Sequence, residues 1–287
     1  MLIGKSARKV KLMIDLHIHS RCSDGTMDED EIFRDYRERG FRYIAITDHD
    51  KICDRRDRLY GSRPGLRVIP GVEVSTYDYE RKRKIHLLGY FVDGSSPRLC
   101  QLLARIGASR ARAASFIITG LQKMGYQIME SEVRRYAGQG GIYKQHILHC
   151  LKDKGYVRKM FGDLDKSLFK RGGKLYYPID YADYLEGLQA IKEAGGLAVL
   201  AHPGQNRVYD LVGDLKENGL DGIETYHPTH TEQDHSICRE LARNYNLFQI
   251  AGSDNHGMYT RTSIDFTRLQ LPSPEEERLV AVLEGAL

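Results

Sequence analysis

Five short apolar segments with histidine or acidic side chains in them or directly after them place the strongest constraint on the fold of this chain. They occupy residues 12–19 (LMIDLHIH), 43–47 (YIAIT), 85–91 (IHLLGYF), 197–201 (LAVLA) and 248–252 (FQIAG). Such runs are typical of buried strands, and helical patterns alternate with them along much of the chain. The alternation predicts parallel βα units, and the number of strands favours a barrel over a flat sheet.

The polar side chains near the ends of these segments have the chemistry of a metal site. His17 and His19 are two residues apart, so both lie on the same face of a strand. In a barrel the carboxyl ends of the strands meet at one mouth, where further ligands would join them. The further candidates are His49, Glu73, His86, His202, Asp254 and His256. Imidazoles and carboxylates without thiolates suit Zn, Mn or Fe.

Seven motifs follow one another in a recognisable order, namely HIHSRCSDG, ITDHD, PGVE, IHLLGY, LAHPG, GIE and GSDNH. In this order they resemble the PHP (polymerase and histidinol phosphatase) family of metallophosphoesterases. The closer likeness is to its subfamily of nucleoside-phosphate phosphatases and 5′-3′ exoribonucleases. The resemblance implies an α/β fold, a distorted (β/α)7 barrel with an inserted all-helical subdomain, and a trinuclear metal centre.

The resemblance also implies how two to three divalent ions (Mn, Fe or Zn) would be held. The first metal would be bound by His17, His19, Glu73 and Asp254. The second would be bound by Asp24, His49 and His256, although some family members have histidine where this chain has Asp24. The third would be bound by Glu73, His86 and His202. Asp24 enters only through the resemblance, because spacing alone does not select it.

The charge distribution predicts the domain organisation. Residues 95–175 have helical patterns and carry 16 basic and 5 acidic side chains, whereas the whole chain has a net charge of only +4. We expect residues 12–94 and 176–271 to form the barrel, 95–175 to form a basic helical insertion that caps the substrate, and 272–287 to form a C-terminal segment. A basic insertion on a nearly neutral body indicates an anionic ligand, such as a phosphate ester or a nucleic acid.

Residues 140–146 resemble a subfamily segment that reads Gly-Gly and then Thr-Arg-x-His. The resemblance implies that Lys144 and His146 contact the substrate phosphate, although lysine cannot form the bidentate contact of arginine. Arg110 and Arg112, on a helix predicted over 98–124, are further candidates for phosphate contacts. Arg98 and Arg105 fit better as a solvated stripe.

Three more side chains are candidates for catalytic or supporting roles. Asp48 precedes His49 and either orients this imidazole or caps the next turn. His227 and His230 follow the predicted strand at 222–225 and either protonate the leaving alkoxide or belong to a surface loop.

These observations predict a metal-dependent phosphoesterase that hydrolyses phosphomonoesters of a small metabolite through a metal-bridging hydroxide. The expected substrate is a nucleotide of the AMP or 3′,5′-bisphosphonucleoside type. Three alternatives stay open: a 5′-3′ exoribonuclease on short RNA, a histidinol-phosphate phosphatase, and a non-catalytic PHP interaction module. No apolar run is long enough to span a membrane, no obligate protein partner is implied, and the five scattered cysteines favour a cytoplasmic location.

Overall fold

The computed structural model describes residues 12–52, 61–63, 65–138 and 140–286. Cys53 and the adjoining stretch of the first predicted barrel segment lie outside these residues. Of the helices within the described ranges, none is both long and apolar enough to cross a membrane.

A nine-stranded sheet forms the centre of the described structure. Its strands are β1 (Met13–Ile18), β2 (Phe41–Ile46), β3 (Gly61–Arg63), β4 (Leu66–Asp78), β5 (Arg83–Tyr90), β6 (Ala182–Asp183), β7 (Leu197–Leu200), β8 (Gly222–Tyr226) and β9 (Phe248–Ala251). The order is β1-β2-β4-β5-β7-β8-β9, with β3 and β6 paired to β4. The predicted combination of a central sheet with surrounding helices is confirmed.

The helices of the described residues follow the predicted alternation. They are α1 (Glu29–Glu38), α2 (Pro97–Lys123), α3 (Glu130–Arg134), α4 (Lys144–Asp153), α5 (Tyr184–Glu193), α6 (Pro203–Asn206), α7 (Val212–Glu217), α8 (Glu232–Asn244) and α9 (Ser273–Gly285). A π-helical turn spans Asp165–Phe169. Local sequence explains where α1 begins. Asp28 and Glu31 form a capping box, in which the side chain of each accepts a hydrogen bond from the backbone amide of the other.

The sequence pattern predicts two short strands, at 67–69 and 72–75, on either side of Pro70 and Gly71, but the structure has one long strand, β4. It is continuous, but its partner changes at this point: residues up to Pro70 pair in parallel with β2, and residues from Gly71 pair antiparallel with β5. Gly71 permits the close packing here, since a Cβ atom would lie 2.7 Å from Thr47 Cγ2. Glu73 therefore lies on the part of β4 that pairs with β5.

The orientation of β5 differs from the predicted run of parallel strands. It is antiparallel to both β4 and β7. Only residues 79–82 separate β4 from β5, and a parallel connection needs about a dozen residues or more. The sheet is consequently mixed, although the remaining pairs along its main path are parallel.

The two ends of the strand order approach each other next to the histidines. Ile18 and Asn255 form a parallel bridge. The His19 amide donates to the Asn255 carbonyl at 2.9 Å, and the Asp254 amide donates to the His17 carbonyl at 2.8 Å. These bonds bring the side chains that follow β1 and β9 together.

The long helix α2 belongs to two apolar cores. Its first half contributes Leu99 and Ile106 to the core beneath β4 and β5. Its second half contributes Ile117 and Leu121 to a separate core that it shares with α3 and α4. We call residues 107–175 with this second core the cap. The predicted insertion begins at residue 95, but the first half of α2 belongs to the core of the sheet and not to the cap.

Charged side chains secure the first half of α2 to α5. Arg98 forms an ion pair with Glu193, and Arg105 lies 2.7 Å from Glu186. The solvated stripe predicted for these arginines is therefore a partly exposed seam between two helices. At the other end of the chain, α9 packs Leu279 and Leu283 into the core of the sheet.

Candidate metal centre and substrate cavity

The carboxylate of Glu73 lies at the centre of the expected metal ligands. It is fully buried on β4. Five histidine nitrogens surround its two oxygens at 2.7 to 3.3 Å, on His17, His19, His49, His86 and His202. One carboxylate thus joins residues from four strands or the loops that follow them.

Asp254 and Asp24 extend the cluster. Asp254 Oδ1 lies 3.1 Å from His19 Nε2, and Asp24 Oδ1 lies 3.3 Å from His256 Nε2. The potential ligand atoms form three groups in which all atoms lie within 4.8 Å of one another: His17, His19, Glu73 and Asp254; His19, Asp24, His49 and His256; and His49, Glu73 and His86. The structure therefore brings all nine expected ligands together, with His202 joined through Glu73.

The donor set fits divalent cations. Several of its atoms are buried without any hydrogen-bond partner, including His17 Nε2, both nitrogens of His19, Asp24 Oδ1, His49 Nδ1 and Glu73 Oε2. The rings of His19 and His256 stack with centroids 4.0 Å apart. Buried polar atoms without a partner destabilise the folded state. Cations bound between these donors would therefore stabilise the cluster.

The acidic and basic groups of the cluster shift each other's pKa values. Burial opposes the charged form of Glu73, but the imidazoles of His49 and His86 hold its pKa well below the ordinary value. Burial likewise opposes protonation of His17, but Glu224 and Glu73 raise its pKa well above the ordinary value. The carboxylates are thus ionised and available as ligands.

Glu224 is a supporting residue that the sequence analysis did not assign. It is fully buried on β8, lies 3.1 Å from His17 Nδ1 through Oε1, and accepts a 2.7 Å hydrogen bond from the His202 amide through Oε2. A Cβ atom at Gly252 would lie 2.1 Å from Glu224 Oε1. The GIE motif was the available signal, because it places a glutamate within a buried strand beside the ligands.

Asp48 supports the loop that carries two of the expected ligands. Its carboxylate accepts hydrogen bonds from the amide and hydroxyl groups of both Ser20 and Ser23. Asp48 therefore fixes the loop that carries His19 and Asp24. Its role in orienting His49 stays a prediction.

His227 and His230 occupy different environments. His227 lines the cavity, and its Nε2 lies 3.7 Å from Asp254 Oδ2. His230 is buried, with Nδ1 donating to the Thr225 carbonyl and Nε2 accepting from the Gly204 amide. Burial lowers the pKa of His230 to about 4. Since both of its nitrogens are engaged, His230 fixes the loops after β7 and β8.

The beginning of α4 connects the cap to the metal ligands. The Tyr143 hydroxyl donates to the His49 carbonyl at 2.8 Å. The Gln145 amide donates to Asp24 Oδ2 at 2.6 Å. Neither contact was expected from the sequence, and both tie loops that carry ligands to the cap.

The two expected phosphate contacts of α4 are oriented differently. Lys144 lines the cavity and lies 2.7 Å from Asp165 Oδ1. His146 is fully buried, and its Nδ1 accepts from the Tyr143 amide at 3.1 Å. Burial lowers the pKa of His146 to about 4, so its imidazole is neutral. The structure places Lys144 on the cavity wall and His146 behind it.

Arg110 and Arg112 point to different surroundings. Arg110 lines the cavity, but its guanidinium donates to Asp50 Oδ2 at 2.6 and 3.1 Å and to Ser75 Oγ at 2.8 Å. Its Cζ also lies 4.9 Å from the centre of the Tyr143 ring. Arg112 is exposed on α2 and does not line the cavity.

The cluster of potential ligands opens into a cavity of about 800 Å³ between the sheet and the cap. Among the described residues, seven lysines or arginines but only two aspartates line it. The basic side chains are Lys82, Lys84, Arg110, Lys144, Lys170, Arg171 and Arg261. The volume lies in the range of small-molecule sites, and the charge favours an anionic ligand.

Comparisons with known proteins agree with this geometry. The model of the PHP domain family matches residues 15–248. A phosphoribosyl 1,2-cyclic phosphate 1,2-diphosphodiesterase of Eggerthella lenta is 40% identical over 249 residues, which are 86% of this chain and 95% of the relative. A 5′-3′ exoribonuclease of Escherichia coli is 29% identical over 253 residues, 85% of each chain.

A solved structure shows the same fold. It is a metal-dependent phosphoesterase from Bifidobacterium adolescentis, which superposes with a TM-score of 0.82 at 23% identity. The superposition covers 93% of this chain and 95% of the other.

Proposed function

The chain belongs to the PHP domain family, and on this premise we propose that it hydrolyses a small phosphorylated ribose compound. The chain is a phosphoric ester hydrolase of this family. The observation that carries the proposal is that the nine-residue cluster and the basic side chains share one cavity. Such a site can hold cations and an anionic phosphate ester side by side.

We propose that the cluster binds three ions: one at His17, His19, Glu73 and Asp254, one at Asp24, His49 and His256, and one at Glu73, His86 and His202. Divalent ions at these positions would lower the pKa of water and neutralise charge on the phosphoryl oxygens. We also propose that the sheet closes as a distorted (β/α)7 barrel, because Ile18 bridges Asn255 across its two ends.

His227 is our candidate for the group that protonates the leaving oxygen. Its Nδ1 accepts a 3.2 Å hydrogen bond from the Thr229 amide and lies 2.8 Å from Thr229 Oγ1, and these contacts orient the ring. Nε2 is buried without a hydrogen-bond partner beside Asp254. A protonated imidazole can give its Nε2 proton to a leaving alkoxide and thereby return to its neutral form.

The substrate class that we favour is a cyclic phosphate of phosphorylated ribose. The support is the relative from Eggerthella lenta, whose length this chain covers almost completely. Hydrolysis would break both ester bonds of the ring phosphate, each with one water, and release inorganic phosphate and a diol. The cap encloses a cavity suited to such a molecule.

A nucleotide, or the 5′ end of a short RNA, is the second candidate. Tyr77, Tyr143, Tyr177 and Tyr181 line the cavity, and aromatic rings can stack on a base. The basic insertion would then follow the nucleic-acid backbone. No specific contact favours histidinol phosphate, and the assembled ligands speak against a non-catalytic module. A cytoplasmic location stays a prediction.

A hydrolysis screen tests the proposal. Protein loaded with Mn would be given phosphoribosyl 1,2-cyclic phosphate, AMP, a 3′,5′-bisphosphonucleoside, an oligoribonucleotide and histidinol phosphate, with release of phosphate or nucleotides as the readout. We expect the cyclic phosphate to have the highest kcat/KM and Asp254→Ala to abolish its hydrolysis. Preferential cleavage of the oligoribonucleotide, with a steep loss of binding as salt increases, would contradict the proposal.

A further inference from the structure

Helix α4 of the cap contacts the loops that carry the ligands of one particular ion. We call the ion proposed at Asp24, His49 and His256 the second ion. The Tyr143 hydroxyl, one residue before α4, donates to the His49 carbonyl at 2.8 Å. The Gln145 amide donates to Asp24 Oδ2 at 2.6 Å. Two ligand loops of the second ion are therefore held directly from this end of the cap.

The third ligand of the second ion, His256, is connected to α4 through Tyr259. His149 Nδ1 lies 2.8 Å from the Tyr259 hydroxyl. Tyr259 ends the short 3₁₀ turn that follows His256, and its amide donates to the His256 carbonyl at 3.3 Å. The Tyr259 ring is buried in the apolar core of the cap. The loop after β9 is thus anchored in the cap by a residue close to its ligand.

The loops that carry Asp24 and His256 are also joined to each other. The Thr26 amide donates to the His256 carbonyl at 3.2 Å, and the Met258 amide donates to Thr26 Oγ1 at 3.0 Å. Gly257 permits this approach, because its φ is 63° and a Cβ atom there would lie 2.0 Å from Thr26 Oγ1. The two loops therefore form one connected unit, which α4 contacts at both ends.

The ligands of the other proposed ions are positioned in a different way. Among the hydrogen bonds of the described residues, none joins Tyr143 or α4 to His17, His86 or His202. His17 lies on β1, His86 lies on β5, and His202 follows β7 closely. The sheet itself fixes these side chains, so the contacts of α4 concern the second ion.

We propose that α4 positions the ligands of the second ion, so that binding of this ion and docking of the cap on the sheet stabilise each other. Tyr143, Gln145 and His149 are the positioning residues. His149 acts on His256 through Tyr259. The inference rests on the proposed function and deepens it, because it makes one ion of the centre dependent on the cap that encloses the substrate.

The physical reason is the conformational entropy of the ligand loops. Three ligands on loops after three strands must come within reach of one cation, and each loop that the cap already holds loses less entropy when its ligand binds. Without the cap contacts the cation would have to order these loops itself, and its apparent affinity would fall. A coupling between two binding equilibria is reciprocal, so the ion in turn strengthens the docking of the cap.

Deletion of single hydroxyl groups tests the inference with little change in packing. Tyr143→Phe and Tyr259→Phe each keep the ring and remove one contact between the cap and a ligand loop. Tyr156→Phe is the matched control, because the Tyr156 hydroxyl accepts from the Gln127 amide within the cap and the residue does not line the cavity. Metal-free protein would be titrated with Mn, and bound metal would be measured at equilibrium.

We expect each of the two variants to weaken the binding of one Mn ion by about 10- to 100-fold and to leave the other ions unchanged. Tyr156→Phe should match the wild type. A loss shared by all bound ions, or no loss, would overturn the inference.

Variants of the ligands identify which ion is affected. In His256→Ala, which lacks a ligand of the second ion, Tyr259→Phe should cause no further loss of Mn. In His202→Ala, which retains all ligands of the second ion, it should cause the same loss as in the wild type. Equal losses in both backgrounds would overturn the inference. A wild type that binds no ion through His256 would overturn both the second ion and its coupling to the cap.

Hydrogen exchange tests the reciprocal effect without any substrate. We expect Mn to slow amide exchange in α4 (Lys144–Asp153) by about tenfold in the wild type and by less in Tyr143→Phe/Tyr259→Phe. Helix α8, outside the cap, is the internal reference and should respond equally in both proteins. Exchange in α4 that does not depend on Mn in the wild type would overturn the coupling. If the wild type hydrolyses no phosphate ester, the proposed function is wrong, yet the expected metal titration and exchange pattern would still support the coupling.

Discussion

Gln145 contributes to the candidate metal site from outside the ligand motifs. Its amide holds Asp24 Oδ2 at 2.6 Å, while Asp24 Oδ1 faces His256. Because this hydrogen bond already fixes the orientation of the carboxylate, Asp24 loses less conformational entropy when it binds a cation. Asp24 stands where some family members have histidine, and Gln145 supplies an orienting contact for the carboxylate.

We therefore predict that Gln145→Ala weakens binding of the ion at Asp24 and His256 by about 10- to 100-fold. Metal content after dialysis against graded chelator would measure this loss. Gln101→Ala, at an exposed position of α2, is the control and should retain the wild-type content. Identical metal retention by Gln145→Ala and the wild type would show that the contact does not orient the ligand.

The charge of Lys144 is sensitive to pH in the range of ordinary assays. Burial lowers its pKa to about 8, although the nearby Asp165 carboxylate opposes this shift. Below that pH the ammonium is charged and attracts phosphate, and above it the charge is lost. The KM for a phosphorylated substrate should consequently rise as the pH increases through about 8.

Lys144→Arg provides the comparison for this pH dependence. A guanidinium stays charged throughout the range, so the variant should lack the alkaline rise in KM. Steady-state kinetics between pH 6.5 and 9.5, as an order-of-magnitude window around that pKa, would measure it. The same alkaline profile in both proteins would exclude Lys144 as its source.

At the scale of elements, helix positions follow from local sequence more directly than strand partners do. An acidic start, apolar residues at helical spacings and a final glycine predict a helix over 28–40, and residues 144–153 also have a helical pattern. The structure has α1 at Glu29–Glu38 and α4 at Lys144–Asp153. Capping and helical periodicity are local properties. The partner exchange within β4 depends instead on which strands arrive on either side of Pro70.

Helix α2 offers a stability prediction. Gly107 is exposed in its interior, and a Cβ atom there would meet nothing within 4 Å. Gly107→Ala should therefore raise the free energy of unfolding by about 0.5–1 kcal/mol, because alanine restricts the unfolded chain and favours the helix. Urea unfolding would measure this change.

Gly120 provides the contrasting position on the same helix. A Cβ atom there would lie 2.2 Å from Leu175 Cδ2, so Gly120→Ala should gain less or lose stability. A destabilised Gly107→Ala protein would show that the open space at this site is not preserved in solution.

At the scale of the whole molecule, the basic side chains of the cap and the potential metal ligands lie in different regions. Net charge is nearly balanced at +4, but residues 95–175 carry 16 basic and 5 acidic side chains. In the structure the basic cap faces the buried carboxylates and imidazoles across one cavity. This separation allows one part of the chain to hold metal ions and the other to hold their anionic substrate.

We predict that metal removal lowers the thermal stability of the whole protein. Ions that bind only the folded state stabilise it by mass action, by about 2.7 kcal/mol at a concentration 100 times the dissociation constant. The Tm should fall after chelation and rise again with added Mn in a concentration-dependent manner. The Tm of Asp254→Ala should change less on chelation. A wild-type Tm that does not depend on metal would contradict the assignment of the metal centre.

The sequence pattern by itself determined the α/β class, most helices and eight of the nine candidate ligands, and the resemblance to the family added Asp24. Strand and helix periods are local, and the ligands directly follow or interrupt apolar segments, so their convergence is implied once the family motifs are recognised. The domain limits and the individual roles of these residues stay predictions.

Only the tertiary structure decided which side chains support that centre. Glu224 contacts His17 across 207 positions, and Gln145 contacts Asp24 across 121. Arg110 is bound to Asp50, and His230 is held by backbone groups of α6 and β8. Such contacts depend on how distant segments pack, and hydrogen-bond partners separated by so much chain leave no periodic signal in the sequence.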